Sequence, residues 1–261
     1  MNSIAIWSDN NKQFQFHLDL NLWITKEKNN NYIEFGIKLF DLTVNNLFIY
    51  LPFKFDNIED KTKELQEPKL LNAMFNEPLS SNDLNNSSFT EVKKSNEILF
   101  HFCKLSKSDY EIDDLEDEKG KILKIKLNKS KSDIKNIYYR FRIGNLDNIF
   151  EEVTTNWFFT NGIKEQINFI EISINSVRKL PSSIVDKIED IRIQNMNLFI
   201  MTESFINLLF KSKDVEKSRV LESIWKNYVK SQDIKKIVAY HWKKENFSDY
   251  NLFIKTSYIN N

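Results

Sequence analysis

At 261 residues, with 41% hydrophobic and 28% charged side chains, the chain has the composition of a folded protein able to bury a core. Lys and Arg number 37, as do Asp and Glu, and this zero balance argues against a protein built mainly to neutralise phosphate backbones. One cysteine, Cys103, rules out an internal disulfide and a cysteine-rich zinc site, and four Gly with four Pro exclude collagen-like or linker-like character.

The opening MNSIAIWSDNNKQ shows no charged segment followed by an apolar run, so no secretory leader is expected. No apolar stretch reaches the roughly 18 residues of a spanning helix. The expected location is the cytoplasm, without a membrane contact.

In FQFHLDLNLWIT, Phe14, Phe16, Leu18, Leu20, Leu22 and Ile24 share one parity, while Gln15, His17, Asp19 and Asn21 share the other. Period two is the mark of a strand with one buried and one solvated face. YIEFGIKLFDL (32–42) and NLFIYLPFKF read as further strands of an antiparallel meander, separated by TVNN. Pro68 suits the first turn of a helix carrying Leu70, Leu71, Met74 and Phe75. LSSNDLNNSSF reads as an exposed loop, and EILFHFCKL (97–105) and KILKIKLN (121–128) as strands.

Between those two strands, the acidic DYEIDDLEDEKGK runs straight into lysine-rich sequence. An acidic partner site beside a basic strip is one reading. An exposed hairpin turning near Gly120, its opposed charges partly cancelling, is the preferred one. NIYYRFRIGN (136–145) alternates again, with Tyr139, Phe141 and Ile143 expected inward and Arg140 and Arg142 outward. INFIEISIN (167–175) is a strand, followed by a turn into a short helix, and MNLFIM (196–201) is another strand. DVEKSRVLESIWKNYVKSQ predicts a helix with Leu221, Ile224, Trp225 and Tyr228 on one face. Strands over 237–244 and 251–258 close the chain.

With no regular strand–helix alternation, a doubly wound parallel sheet is not expected. The fold class is α+β, β-rich, with mostly antiparallel sheets arranged as a sandwich or meander and a few packed helices, the longest near 214–231. The charged region suggests a β-rich lobe over 1–130 and an α+β lobe over 131–261, with one continuous domain as the alternative.

The four glycines, at 36, 120, 144 and 162, are too far apart for a phosphate cradle, and no G-x-S-x-G elbow exists. His17, His101 and His241 form no metal-ligand spacing, so no metal site and no cofactor is expected. Glu91 and Lys93 make an E-x-K spacing with Asp83 upstream, a short match to a metal-dependent nuclease. Cys103 reads as a small buried hydrophobe rather than a nucleophile.

In the last strand pair, Tyr240 and Trp242 are expected to face the core. His241 and Lys243 then project together about 6–7 Å apart, and His241 is the one catalytic candidate, as an acid or base. Arg140, Arg142 and Lys243 are candidates for gripping an anion, as are Arg178 and Lys179 at a strand-to-helix turn.

The expected function is a cytoplasmic binding, sensor or interaction module within a larger system, recognising an anionic small molecule or a protein partner. One alternative is an enzyme acting on a phosphate-containing substrate, phosphodiesterase- or nuclease-like. A second is an RNA-binding protein, in which Lys124, Lys126 and Lys129 would contact phosphate. The oligomeric state is left open.

Overall fold

A computed structural model describes residues 3–11, 14–26, 30–40, 43–84, 88–115, 120–127, 136–144, 146, 151–156, 164–229 and 236–260. In chain order the elements are β1 (Ala5–Ser8), β2 (Gln15–Ile24), β3 (Tyr32–Leu39), β4 (Asn46–Leu51), β5 (Glu59–Asp60), α1 (Pro68–Phe75), β6 (Leu79–Asp83), β7 (Phe89–Lys94), β8 (Glu97–Cys103), β9 (Tyr110–Asp114) and β10 (Lys121–Lys126). There follow β11 (Ile137–Gly144), β12 (Glu151–Asn156), β13 (Lys164–Ile174), α2 (Ser182–Val185), β14 (Arg192–Glu203), β15 (Asn207–Lys211), β16 (Lys217–Val220), α3 (Lys226–Val229), β17 (Ile237–Phe247) and β18 (Tyr250–Asn260).

The protein is β-rich, with mostly antiparallel strands and three short α-helices among the described residues. The largest sheet runs β16-β17-β14-β2-β3-β11-β8-β7-β6, with β5 added to β11. Among the described strands, β14 with β2 and β11 with β8 pair in parallel, and a single parallel bridge joins Ile4 to Ile174. Two four-stranded sheets, β1-β4-β10-β9 and β12-β13-β18-β15, complete the fold. The large sheet takes strands from both sides of residue 130. No helix among the described residues is long and apolar enough to cross a membrane.

Alternation in β2 explains the main core. Phe16, Leu18, Leu20 and Leu22 are buried together with Ile33, Phe35 and Ile37 of β3 and Leu198 and Ile200 of β14. The smaller sheets cover this face with Ile49 and Leu123 on one side and Ile172, Leu252 and Ile254 on the other. Stacked Phe35 and Phe141, with centroids 5.4 Å apart, tie β3 to β11 within it.

The opposite face of the large sheet is not simply solvated, as alternation alone predicts. Part of it is a second core, in which Trp23, Phe102, Tyr138 and Ala239 lie under α1 and the segment around α3. Phe75 at the end of α1 packs its ring 5.5 Å from that of Tyr138 and 5.3 Å from that of Phe100.

Three local expectations are corrected. The helix expected near 214–231 shrinks to a 3-10 turn, Ser223–Trp225, continuing into α3, while Lys217–Val220 forms an edge strand on β17. Leu221, Trp225 and Tyr228 are buried as their spacing implies, but residues 217–220 are all exposed. A longer helix would bury nothing there, whereas the open edge of β17 supplies ladder partners. The polar loop expected at 79–89 begins with β6, a short polar edge strand against β7. β4 leaves the meander and joins β1 and β10 in another sheet.

Candidate functional site

The second face of the large sheet carries most of the chemistry. Register places His241, Phe199, Asn21, Glu34 and Arg142 on one rung across β17, β14, β2, β3 and β11. The next rung holds Lys243, Asn197, Asp19, Gly36 and Arg140. Shared parity aims these side chains to the same side.

At the covered end, Glu34 is fully buried between two guanidiniums. Its Oε1 accepts from Arg142 Nε at 2.9 Å and Nη2 at 2.7 Å, and its Oε2 accepts from Arg140 Nη2 at 2.8 Å and the Tyr228 hydroxyl at 3.1 Å. Arg140 also donates to the hydroxyls of Tyr228 and Tyr138, at 3.2 and 3.3 Å. The Tyr138 hydroxyl in turn donates to Asp19 Oδ2 at 2.9 Å. Burial would raise the Glu34 pKa, but the charges and hydrogen bonds of Arg140 and Arg142 outweigh it and hold the carboxyl below its usual value.

Gly36 makes this crossing possible. A Cβ there would lie 2.0 Å from Tyr138 Oη and 2.8 Å from Arg140 Nη1. The absent side chain is the space through which Tyr138 and Arg140 reach their partners.

The expectation that Arg140 and Arg142 point outward is therefore corrected. They do project from the side opposite Tyr139 and Phe141, but that side is roofed by Tyr228 and its neighbours, leaving Arg140 0% and Arg142 8% exposed. A carboxylate of the chain already occupies both, and Arg142 further stacks 3.9 Å from the Tyr32 ring.

At the open end, Asp19 Oδ1 accepts from Asn197 Nδ2 at 2.8 Å. That fixes the Asn197 amide, so its Oδ1 must accept from His241 Nε2, 3.2 Å away, and Nε2 carries the proton. The His241 ring stacks on Phe199 at 4.3 Å. Burial, helped by Lys217 and Lys243 against the opposing Glu216 and Asp19, holds its pKa below the ordinary value of 6.5. His17 pairs with Asn195 at 2.8 Å, and burial followed by Lys38 lowers its pKa likewise. Both rings are thus neutral at pH 7.

The structure does not gather the candidate cations around His241. Arg142 lies on the same rung but four strands away, about 19 Å. Lys243 is exposed and pairs with Glu245 at 2.5 Å. Arg178 and Lys179 lie after β13, off the large sheet, where Lys179 bonds to Glu171 and, at 2.9 Å, to Ser173. α2 behind them has four residues, too few for a dipole-based anion site.

Other sequence candidates resolve locally. Glu91 pairs with Lys93 at 2.6 Å, and Asp83 accepts from Thr90 at 2.6 Å. Among the described residues no three His, Cys, Asp or Glu gather as metal ligands. Cys103 is buried, and burial pushes its thiol up to about 12, which disfavours the nucleophilic thiolate. β9 and β10 form the charged hairpin, with Glu111 between Lys124 at 2.9 Å and Lys126 at 2.6 Å. Lys129 lies outside the described residues.

A surface that sequence reading missed is the outer side of the β12-β13-β18-β15 sheet. Leu252 and Ile254 of β18 point to the core, leaving Phe253 and Ile259 37% and 58% exposed. Phe253 lies 6.0 Å from Phe169 of β13 and 6.0 Å from Phe210 of β15. The signal was present in YNLFIK, where Phe253 falls on the parity of Asn251 and Lys255, opposite the core-facing Leu252 and Ile254.

No family model matches the chain, and neither does any curated protein. Among solved structures it is similar to Legionella pneumophila aminopeptidase A in complex with aspartic acid, at 10% identity and a TM-score of 0.34. The match covers 97% of this chain and 22% of that one, and at that TM-score it carries no argument about fold or activity.

Proposed function

We propose that the protein is a cytoplasmic interaction module that docks a protein partner on the outer face of the β12-β13-β18-β15 sheet. The observation that supports this is the concentration of exposed apolar side chains there. Of the eight large apolar residues exposed among the described ones, four belong to β15 or β18: Leu209, Phe210, Phe253 and Ile259. Isolated exposed hydrophobics need no explanation, but a contiguous aromatic patch on a sheet face does.

Size and charge describe the partner. Strands about 4.8 Å apart and up to eleven residues long give a face of roughly 500–700 Å², near the ~800 Å² each side gives a standard interface. Lys255 lies 5.8 Å over the Phe169 ring and has no carboxylate partner among the described residues. A complementary surface is apolar, with an acidic side chain opposite Lys255. The single free, buried cysteine suits a reducing compartment.

The test is affinity capture from the native host with the wild-type chain, a Phe210→Asp/Phe253→Asp variant and an Ile98→Asp control on a different sheet. One protein retained by wild type and control, and lost with the double variant at unchanged melting temperature, is the expected result. Equal retention by all three, or none by the wild type, contradicts it. A dimer of this chain lost with the double variant would keep the face but overturn the choice of partner.

A further inference from the structure

A strand at the end of a sheet turns a row of N–H and C=O groups away from its one neighbour, and proteins defend such edges with charge, proline or a covering segment. Among the described residues, β16 and β6 end the large sheet, β1 and β9 end the second, and β12 and β15 end the third. β16 carries Lys217 and Arg219, β6 carries Asp83, β9 carries Glu111, Asp113 and Asp114, and β12 carries Glu151 and Glu152. β1 is covered instead. The Ile6 N–H donates to Asn175 Oδ1 at 2.9 Å, and the Asn175 N–H donates to the Ile4 carbonyl at 2.8 Å.

β15 is the exception. Asn207, Leu208, Leu209 and Phe210 carry no charge, and the charge of Lys211 is matched by Asp214 at 3.3 Å. β18 pairs with β15 on one side, and no described strand lies on the other. The ladder skips a residue between Leu208 and Phe210, a bulge of the kind that shields an edge. Yet the residue at that bulge is Leu209, 51% exposed, where shielding calls for a charge. An open, uncharged, apolar edge is a template for another strand.

Register describes the segment that fits. Phe210 pairs with Lys255 of β18, which pairs with Phe169 of β13, and this row lies on the outer face. Asn207, the other outward residue of β15, pairs with Ser257. A strand laid along β15 therefore sets an apolar or aromatic side chain beside Phe210, where cross-strand aromatic pairs are favourable, and a polar one beside Asn207. Leu208 pairs with the fully buried Thr256 and packs against the main core, so the side chain beside it points inward and is apolar as well. The segment needs no charge, because Lys211 is already matched. The acid opposite Lys255, one strand further in, belongs to the rest of the partner.

We propose that the partner docks by adding an uncharged, extended segment to the free edge of β15, lengthening the β12-β13-β18-β15 sheet by one strand. The inference rests on the docking reading above and deepens it: the aromatic face supplies side-chain contact, and the β15 backbone supplies the ladder. A helix or loop laid on the aromatic face alone leaves the outward groups of β15 unpaired. A second copy of the chain fits poorly. Pairing β15 with itself about Leu209 sets the outward Phe210 opposite the inward Leu208, whereas directly opposed residues of a ladder share a face.

Amide hydrogen exchange, followed residue by residue on the full chain alone and bound to the protein obtained by the affinity capture above, tests this. On an edge strand alternate amides point away from the sheet. Binding should slow alternate amides among residues 207–211 by about tenfold or more, while those already bonded to β18 keep their rates. Unchanged rates along β15, or an even slowing without alternation, would overturn strand addition. If the Phe210→Asp/Phe253→Asp variant still releases the partner in that case, docking on the aromatic face stands without it. Capture of no partner removes the docking reading and this inference together, and capture of a second copy of this chain overturns the choice of occupant.

Discussion

Arg140 and Glu34 meet at 2.8 Å on adjacent strands with neither side chain exposed. Arg142 completes a set of two cations and one anion, closed by Tyr228. Removing one partner from such a set leaves charge stranded in a medium that solvates it poorly. Glu34→Ala is therefore expected to cost about 3–5 kcal/mol, read as a fall in the urea midpoint. A loss below about 1 kcal/mol would mean that water reaches both guanidiniums, contrary to their burial.

The same carboxylate sets an acid limit. Its folded pKa is depressed from the usual glutamate value of 4.5, so its contribution is fully present above that value and is lost as pH falls through the folded pKa. Denaturant unfolding between pH 7 and pH 3 should show stability dropping below about 4.5 in the wild type. In Glu34→Gln the drop should be shallower, from a lower plateau. Parallel profiles would show that other carboxylates govern acid unfolding.

Gly36→Ala tests the crossing over β3. With backbone and Tyr138 both held in the sheet, a Cβ at 2.0 Å from Tyr138 Oη cannot be absorbed by a rotamer change. The expected loss exceeds the ~1–3 kcal/mol of ordinary overpacking, because Tyr138 must also give up Asp19 and Arg140. Tyr138→Phe in the same chain should rescue part of it, by removing the clashing oxygen. Wild-type melting behaviour in Gly36→Ala would place the Tyr138 ring elsewhere.

His17 and His241 should each titrate below 6.5 by NMR, because burial disfavours their charged forms. Since the unfolded chain binds these protons first, their contribution is fully present above pH 6.5 and declines as pH falls through that value. Asn197→Asp should raise the His241 midpoint, placing a carboxylate 3.2 Å from Nε2 where an amide oxygen now lies. A midpoint at or above 6.5 in the wild type would contradict the burial of these rings.

What the sequence shows depends on which force decides each feature. Parity in residues 14–24 revealed the main core, because period two leaves a strand one way to bury Phe16, Leu18 and Leu20. It could not reveal that Trp23 and Tyr138, on the opposite parity, are roofed by segments far along the chain, α1 and the residues around α3. For that reason Arg140 and Arg142 read as free surface cations when their partner, Glu34, lies 106 and 108 positions earlier in the sequence, on the neighbouring strand. Trp242 is buried with Lys243 exposed, as alternation requires, while Tyr240 and His241 are both half-covered because each face at that point is only partly roofed. The helix read into 214–231 failed where exposed residues 217–220 had an open strand edge beside them.

Site-specific photocrosslinking in the native host tests docking on the aromatic face most directly. A crosslinker at position 253, between Phe169 and Phe210, should capture one protein repeatedly, while the same crosslinker at Lys38 on the large sheet should not. Capture of the same protein equally from both positions, or from position 38 alone, would contradict docking through this face.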